Sequence, residues 1–214
     1  MHIPDGFLDA KVWTTLGVVS GLTLALAVKK TSNRAHTEGG SGGKQIPMMG
    51  IVSAFVFAAQ MLNFPVAGGT SGHFMGGVLA AILLGPFSGL LVMSSVLIVQ
   101  CLVFQDGGLT ALGANIFNMG IIGAILGYYI YLGILKAIKR MSISSFIASW
   151  LSIVLASSAC AVELVISGTV PLKVAFPAMA GVHSLIGIGE GIITALVLGF
   201  ILRTREDLLQ IEKV

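Results

Sequence analysis

Apolar residues fill most of this chain and fall into long runs separated by short polar stretches. A typical soluble domain carries about 25% charged residues, whereas 10% of these 214 residues are charged and 56% are hydrophobic. A membrane-spanning helix needs about 20 mostly apolar residues, so the pattern predicts an all-α membrane protein with about seven transmembrane helices. The runs cover residues 12–28, 46–62, 74–84, 87–104, 114–135, 143–166 and 176–202.

The third run, 74–84, is too short to cross a bilayer core of about 30 Å by itself. A glycine-rich stretch that ends at His73 precedes it, and Gly85-Pro86 is a signal for a helix end. We therefore expect a loop that dips into the membrane and leads into a short helix. Irregular backbone at that depth is tolerated only where protein or a cavity shields it, which favours a binding site at this place.

Basic residues predict the orientation of the chain in the membrane. With the N-terminus outside, ten of the twelve Lys and Arg lie inside, and the reverse orientation would leave two inside. The positive-inside rule favours the first arrangement. Because these residues form short runs rather than one patch, a nucleic-acid partner is not expected. The expected organisation is one membrane domain, 1–214, with an outer N-terminal segment, 1–9, a flexible cytoplasmic Gly/Ser linker, 38–44, and a cytoplasmic tail, 203–214.

The first two residues can chelate a metal ion. No basic n-region or cleavage motif precedes the first long apolar run, so we expect Met1 to be the mature terminus. The α-amine, the amide nitrogen of His2 and the Nδ1 of its ring can then bind one ion in a plane, the geometry that suits Ni²⁺ and Cu²⁺. His73, on the same predicted side of the membrane, is a candidate for the open in-plane position.

Further polar residues lie in the outer half of the predicted bundle. His183 and Glu190 are seven residues apart and therefore share one face of the last helix. Ionisable residues inside a membrane are costly and are candidates for function, although a His–Glu pair can also tie two helices together. His36 lies in the charged inner loop, where we expect it to be solvated.

The sequence gives less support for other classes of function. The sequence has no HExxH and no Walker A motif, and it has no Ser/His/Asp arrangement of defined geometry, so an enzyme is not expected. A b-type haem protein for electron transfer, with His73 and His183 as axial ligands, is one alternative. An energy-independent metal channel is another.

Five motifs occur in order: MHIPDGFLD at 1–9, GGTSGHFMGG at 68–77, LLGPF at 83–87, DGGLTALGANIFNMG at 106–120 and HSLIGIGE at 183–190. Together they resemble the CbiM/NikM family, the substrate-capture membrane subunits of cobalt and nickel energy-coupling factor (ECF) transporters. The resemblance covers nearly the whole chain except the Gly/Ser linker and the tail.

The resemblance implies a seven-helix protein of the prokaryotic cell membrane, with the N-terminus inserted into the core from outside. It implies that Met1, His2 and His73 bind transported Ni²⁺ or Co²⁺, and that there is no resident cofactor. The implied partners are a transmembrane coupling subunit, two cytoplasmic ATPase subunits and a small accessory membrane protein, in addition to lipid. The metal would feed urease, hydrogenase or cobalamin synthesis. Four other motif residues would surround the ligands or have structural roles: Asn115, Asn118, His183 and Glu190.

Overall fold

A computed structural model describes residues 1–37 and 42–205 of the chain. These residues are almost entirely helical. The helices are α1 (Ala10–Thr37), α2 (Gly42–Gln60), α3 (Gly77–Leu84), α4 (Pro86–Phe104), α5 (Leu112–Ile116), α6 (Gly127–Ile138), α7 (Met141–Ile166), α8 (Leu172–Phe176) and α9 (Val182–Thr204). Wider π-helical turns, Phe117–Leu126 and Pro177–Gly181, join α5 to α6 and α8 to α9.

Five helical rods in the described part of the chain are long and apolar enough to cross a membrane. They are α1, α4, the joined α5–α6, α7 and the joined α8–α9. The apolar part of α2, Gln45–Gln60, is shorter. The third predicted run becomes α3, which has only eight residues. The prediction of an all-α membrane protein is confirmed, with two of the seven apolar runs forming shorter helices.

Helix α3 lies in the centre of the bundle, and all eight of its residues are buried. Gly85 ends the helix at a φ of 86°, a left-handed conformation that glycine adopts without steric cost. Pro86 then begins α4, at a position where proline's missing N–H costs nothing. This sharp corner lets a short helix stand inside the bundle, with the loop that holds His73 at its N-terminal end.

The loop before α3 contains a small element that the sequence did not predict. Phe64–Pro65 (β1) and Ser71–Gly72 (β2) form an antiparallel pair, in which Phe64 lies opposite Gly72. The pair holds the two ends of the glycine-rich loop together, with Ser71 in the second strand and His73 directly after it. The predicted re-entrant loop is therefore a tight hairpin rather than an irregular dip.

The predicted linker, 38–44, and the predicted tail, 203–214, lie only partly within the described residues. Residues 38–41 and 206–214 lie outside the described residues. Helix α2 begins at Gly42 and therefore includes the last three residues of the segment 38–44. Helix α9 ends at Thr204 and includes the first two residues of the segment 203–214.

Candidate metal centre

The N-terminal segment enters the helical core and brings its first three residues into it. Met1 and Ile3 are completely buried, and His2 is 3% exposed. The amine of Met1 contacts the carbonyl oxygen of Ser71, lies 2.8 Å from its Oγ and lies 2.9 Å from Nε2 of His73. The hairpin before α3 therefore surrounds the terminal amine.

The ring of His73 has a defined tautomer. Its Nδ1 lies 2.6 Å from the carbonyl oxygen of Phe74, an atom that can only accept a hydrogen bond. Nδ1 must therefore carry the proton, so Nε2 presents a lone pair to the Met1 amine. Such fixing of one ring nitrogen by a carbonyl group is how proteins prepare a histidine to bind metal through the other.

The ring of His2 is prepared in the same way. Its Nε2 lies 3.0 Å from Oε1 of Gln100, which accepts the hydrogen bond. Nδ1 of His2 therefore presents a lone pair, and this buried atom has no hydrogen-bond partner among the described residues. The rings of His2 and His73 stack with their centroids 4.6 Å apart.

The backbone of His2 completes the set of nitrogens. Its amide N–H donates to Oγ of Ser71 at 3.0 Å, so one hydroxyl oxygen contacts both the amine and the amide. Two nitrogen ligands at right angles, each about 2.0–2.1 Å from a metal ion, are about 2.9 Å apart. The Met1 amine and His73 Nε2 already have that separation. The arrangement can thus hold a small divalent cation with four nitrogens.

Ile3 is held by contacts that resemble strand pairing. Its N–H donates to Oδ1 of Asn115 at 2.8 Å, and its carbonyl oxygen accepts from Nδ2 of Asn115 at 3.2 Å and from the N–H of Gly108 at 2.8 Å. A Cβ on Gly108 would lie 2.3 Å from the backbone nitrogen of Asp5, so only glycine fits there. These contacts fix the depth to which the N-terminus enters.

Asp5 anchors the outer part of the same segment. Its carboxylate accepts hydrogen bonds from the backbone N–H groups of Leu109 and Thr110, at 3.0 and 2.7 Å, and from the hydroxyl of Thr110. The hydrogen bonds from Thr110 lower the pKa of Asp5. Residues 1–9 are therefore attached to the loop before α5 at both the buried and the exposed ends.

Burial makes the nitrogen groups weak bases. It lowers the pKa of the Met1 amine to about 5 and, with the nearby amine, the pKa of His2 to about 3. Burial, the amine and His2 together hold the pKa of His73 well below its usual value. At neutral pH these three groups are unprotonated, and their lone pairs are free to bind a cation.

The structure gives the other predicted site residues different partners. Glu190 accepts hydrogen bonds from the N–H groups of Met75 and Gly76, at 2.7 and 2.9 Å, and so holds the outer end of α3. Nδ1 of His183 bonds to the carbonyl oxygen of Met179, one turn earlier in its own helical rod. His183 and Glu190 share a helix face, as predicted, but contact different parts of the protein.

Asn115 and Asn118 also differ in role. Asn115 contacts Ile3, whereas Nδ2 of Asn118 donates to Oε2 of Glu163 on α7 at 2.8 Å. Asn118 therefore joins two helices and has no contact with the N-terminal segment in the described structure.

Three residues at this site were not singled out from the sequence: Ser71, Gln100 and Asp106. Oδ1 of Asp106 lies 3.4 Å from Nδ1 of His2, and partial burial raises the pKa of this carboxyl group. Gln100 is a completely buried polar residue in an apolar helix, and the cost of such a residue was a signal that could have identified it.

A cavity of about 700 Å³ opens beside His2 on the outer side of the site. Its lining includes neither His73 nor His183. The space next to the site therefore does not lie between the two histidines that the haem alternative requires.

Comparisons with known proteins assign the chain to a family. Residues 2–208 match the family model described as CbiM, the cobalt uptake substrate-specific transmembrane region. This chain belongs to the CbiM family. It is therefore a transmembrane component of cobalt or nickel uptake, a multi-pass membrane protein and a transporter component rather than an enzyme.

Individual CbiM relatives cover nearly all of the chain. A putative fused nickel transport protein NikMN of Archaeoglobus fulgidus is 45% identical over 98% of this chain and 68% of its own length. A putative metal transport protein of Haloquadratum walsbyi is 40% identical over 97% of this chain and 93% of its own length. The crystal structure of a truncated transition metal transporter, 36% identical, superposes with a TM-score of 0.87 over 95% of this chain and 99% of that one.

Proposed function

We propose that this protein captures Ni²⁺ with high affinity from outside the cell for an ATP-driven importer of the ECF type. The ligands are the Met1 amine, the His2 amide nitrogen, Nδ1 of His2 and Nε2 of His73. The observation that carries this proposal is the 2.9 Å separation of the Met1 amine and Nε2 of His73, beside the stacked ring of His2, with both imidazole tautomers fixed by hydrogen bonds.

The donor set favours nickel over cobalt. A tetragonal set of nitrogen ligands suits Ni²⁺ and Cu²⁺, and by the Irving–Williams order Cu²⁺ binds at least as tightly. The relative from Archaeoglobus fulgidus carries a nickel name, while the family description names cobalt. Co²⁺ is therefore the second substrate of this site, and selectivity against copper depends on its scarcity as a free ion.

The surrounding residues support the ligands from two directions. Asn115 sets the depth of Ile3, and Glu190 holds the N–H groups of Met75 and Gly76, just after the His73 loop. His183 and Asn118 stabilise the helices around the site. Such partners position ligands, and their loss usually costs affinity without abolishing binding.

The energy for import comes from partner subunits in this proposal. The 214 residues carry no P-loop that could bind ATP. The family resemblance supplies a transmembrane coupling subunit, two cytoplasmic ATPase subunits and a small accessory membrane protein. The membrane-facing surfaces of the long helices offer apolar area for lipid and for the coupling subunit.

The site faces the outside of the cell in this proposal, since ten of twelve basic residues then lie in the cytoplasm. A fluorescent protein that matures only in the cytoplasm, fused after Val214, should be bright. A dark but well-expressed fusion would place His2 and His73 on the inner side and contradict the orientation.

Metal titration of the purified protein tests the ligand set. Ni²⁺ should give a yellow, diamagnetic complex with d–d absorption and one ion per chain, because four planar nitrogens favour the low-spin state. Co²⁺ and Cu²⁺ are titrated in parallel, with a spectrum at each step. A Soret band in the protein as isolated would favour the haem alternative, and metal flux into vesicles without ATPase partners would favour a channel.

A further inference from the structure

Asp106 lies where the cavity of about 700 Å³ meets the buried ring of His2. Exposed residues line the outer part of this cavity, among them Asn63 and Gln105, and His2 forms part of its inner wall. The side chain of Asp106 is 23% exposed and that of His2 is 2% exposed. An ion that reaches His2 through this cavity therefore meets the Asp106 carboxylate.

Two acceptor atoms lie close together at this point. Oδ1 of Asp106 lies 3.4 Å from Nδ1 of His2. Because Nε2 of His2 donates to Gln100, Nδ1 presents a lone pair, and it has no hydrogen-bond partner. A carboxylate oxygen and an imidazole lone pair with no hydrogen between them repel each other, unless a cation lies between them.

The separation of the two atoms suits a single divalent ion. An ion that binds a nitrogen and an oxygen at about 2.0–2.2 Å each can bridge atoms that are about 2.9 Å apart at a right angle and about 4 Å apart in line. The observed 3.4 Å lies between these limits. The distance between the two atoms therefore allows both to bind the same ion.

The position of Asp106 is fixed by its neighbours. Nδ2 of Asn63 donates to its Oδ2 at 2.8 Å, and its other oxygen, Oδ1, lies 3.4 Å from Nδ1 of His2. The backbone N–H of Asp106 donates to the carbonyl oxygen of Gln100 at 3.0 Å. The same residue, Gln100, orients the ring of His2. Gln100 of α4 therefore holds both Asp106 and His2 in place.

We propose that Asp106 and Nδ1 of His2 form an outer capture site, which holds a partly hydrated divalent cation before the planar nitrogen set closes around it. This inference rests on the proposed function. Nδ1 of His2 belongs to both sites, so the ion keeps one bond while it moves inwards. The water ligands and the Asp106 oxygen are replaced in turn by the amine, by the amide nitrogen, which loses its proton to water, and by Nε2 of His73.

Stopped-flow measurement of Ni²⁺ binding to the full chain in detergent tests this proposal. The variant is Asp106→Asn, and the matched control is Asp9→Asn, which removes the same charge from an exposed residue at the start of α1. We expect kon to fall about tenfold or more in Asp106→Asn, within the range that local charge contributes to association. Most binding-site substitutions change affinity through koff. Here koff should stay within about threefold of the wild-type value.

A second variant separates the capture role from folding. Asn63→Ala keeps the charge of Asp106 but removes the 2.8 Å hydrogen bond that directs it, so kon should fall by a smaller factor with the absorption spectrum of the final complex unchanged. Loss of affinity through koff alone would overturn the proposal and make Asp106 a ligand of the final complex. Equal losses of kon in Asp9→Asn and Asp106→Asn would overturn it in favour of general steering. Failure of the wild-type protein to bind Ni²⁺ would instead overturn the proposed function.

Discussion

Residues 1–9 and the helix that follows them, α1, satisfy their backbone hydrogen bonds in opposite ways. Helix α1 is regular over 28 residues, and many of its side chains are exposed, such as Leu22 at 65% and Val18 at 62%. Residues 1–9 form no helix or strand, yet Met1 and Ile3 are completely buried. Regular structure and burial are therefore separate properties in this protein.

The difference follows from where the backbone finds its hydrogen bonds. A helix in lipid satisfies its own N–H and C=O groups, so only its side chains must suit the membrane. The buried irregular segment must obtain every partner from elsewhere, and it does so from Ser71, Gly108 and Asn115. Its position is consequently sensitive to single residues far away in the sequence, while the backbone hydrogen bonds within α1 do not depend on such residues.

The largest expected effect comes from lengthening the irregular segment. A Gly-Ser pair placed before Met1 turns the amine into an ordinary amide and forces extra chain into a space with no room for it. Ni²⁺ affinity should fall by orders of magnitude, although His2 and His73 remain present. Isothermal titration of the purified protein measures the change.

The same dipeptide added after Val214 is the control and should leave Ni²⁺ binding unchanged. If the N-terminally extended protein binds as tightly as the control, the terminal amine is not a ligand. The role proposed for Met1 would then have to be abandoned.

Removing one imidazole should have the next largest effect. His73→Ala leaves one in-plane position to water, so affinity should fall by more than the roughly 10- to 100-fold that follows loss of a group that only supports a ligand. His36→Ala is the matched substitution and should change nothing, since His36 lies in the last turn of α1 rather than in the inner loop that the sequence predicted. Equal Ni²⁺ affinities of the two variants would show that His73 is not a ligand.

A substitution at Asn115 compares the two regions directly. Asn115→Ala leaves the buried N–H of Ile3 without its 2.8 Å partner, a loss of about 1–3 kcal/mol, and should weaken Ni²⁺ binding roughly 10- to 100-fold. Leu22→Ala, on the exposed face of α1, should leave binding within experimental error. A larger effect at Leu22 than at Asn115 would contradict the contrast drawn between the two regions.

A change of one pH unit gives the smallest effect, about tenfold in affinity, and tests the burial of the amine. Because the pKa of the Met1 amine lies at about 5, the proton released near neutrality is the one on the His2 amide. Affinity should rise with pH by about tenfold per unit between about pH 6 and 8. Below about pH 5 the amine also binds a proton, and the dependence should steepen.

A slope of two protons per ion already between pH 6 and 8 would contradict this expectation. It would show that the amine titrates near its ordinary value of about 7.7–8.0, as an exposed terminus does. Competitive titration against a chelator of known pH dependence measures the slope.

Hydropathy was sufficient to predict most of the fold. The apolar runs match the helices, and Gly85-Pro86 marks the end of α3, because length, polarity and chain stops are local properties of the sequence. The antiparallel pair of β1 and β2 was not predictable in this way. It involves only four residues, and its register depends on the surrounding helices rather than on any pattern of its own.

The sequence pointed to the candidate ligands and to two residues that support them, Asn115 and Glu190, but it did not single out Ser71. The pairing of a terminal His2 with a glycine-flanked His73 points to metal chemistry, and the structure brings both residues together. Nothing in the sequence distinguishes Ser71 from other serines, and its importance comes from one oxygen that contacts both the amine and the amide. The meeting of these contacts at one oxygen depends on the folded structure and leaves no sign in the sequence.

The two nitrogens that Ser71 contacts, the Met1 amine and the His2 amide, limit what mutagenesis can reveal about the site. Two of the four nitrogens proposed to hold the ion belong to the main chain, and substituting side chains one at a time leaves both in place. A saturation scan would therefore score half of the coordination sphere as tolerant, however essential those atoms are. Only changes that alter the peptide itself, such as acetylation of the amine or an ester bond in place of the amide at His2, would reveal that half.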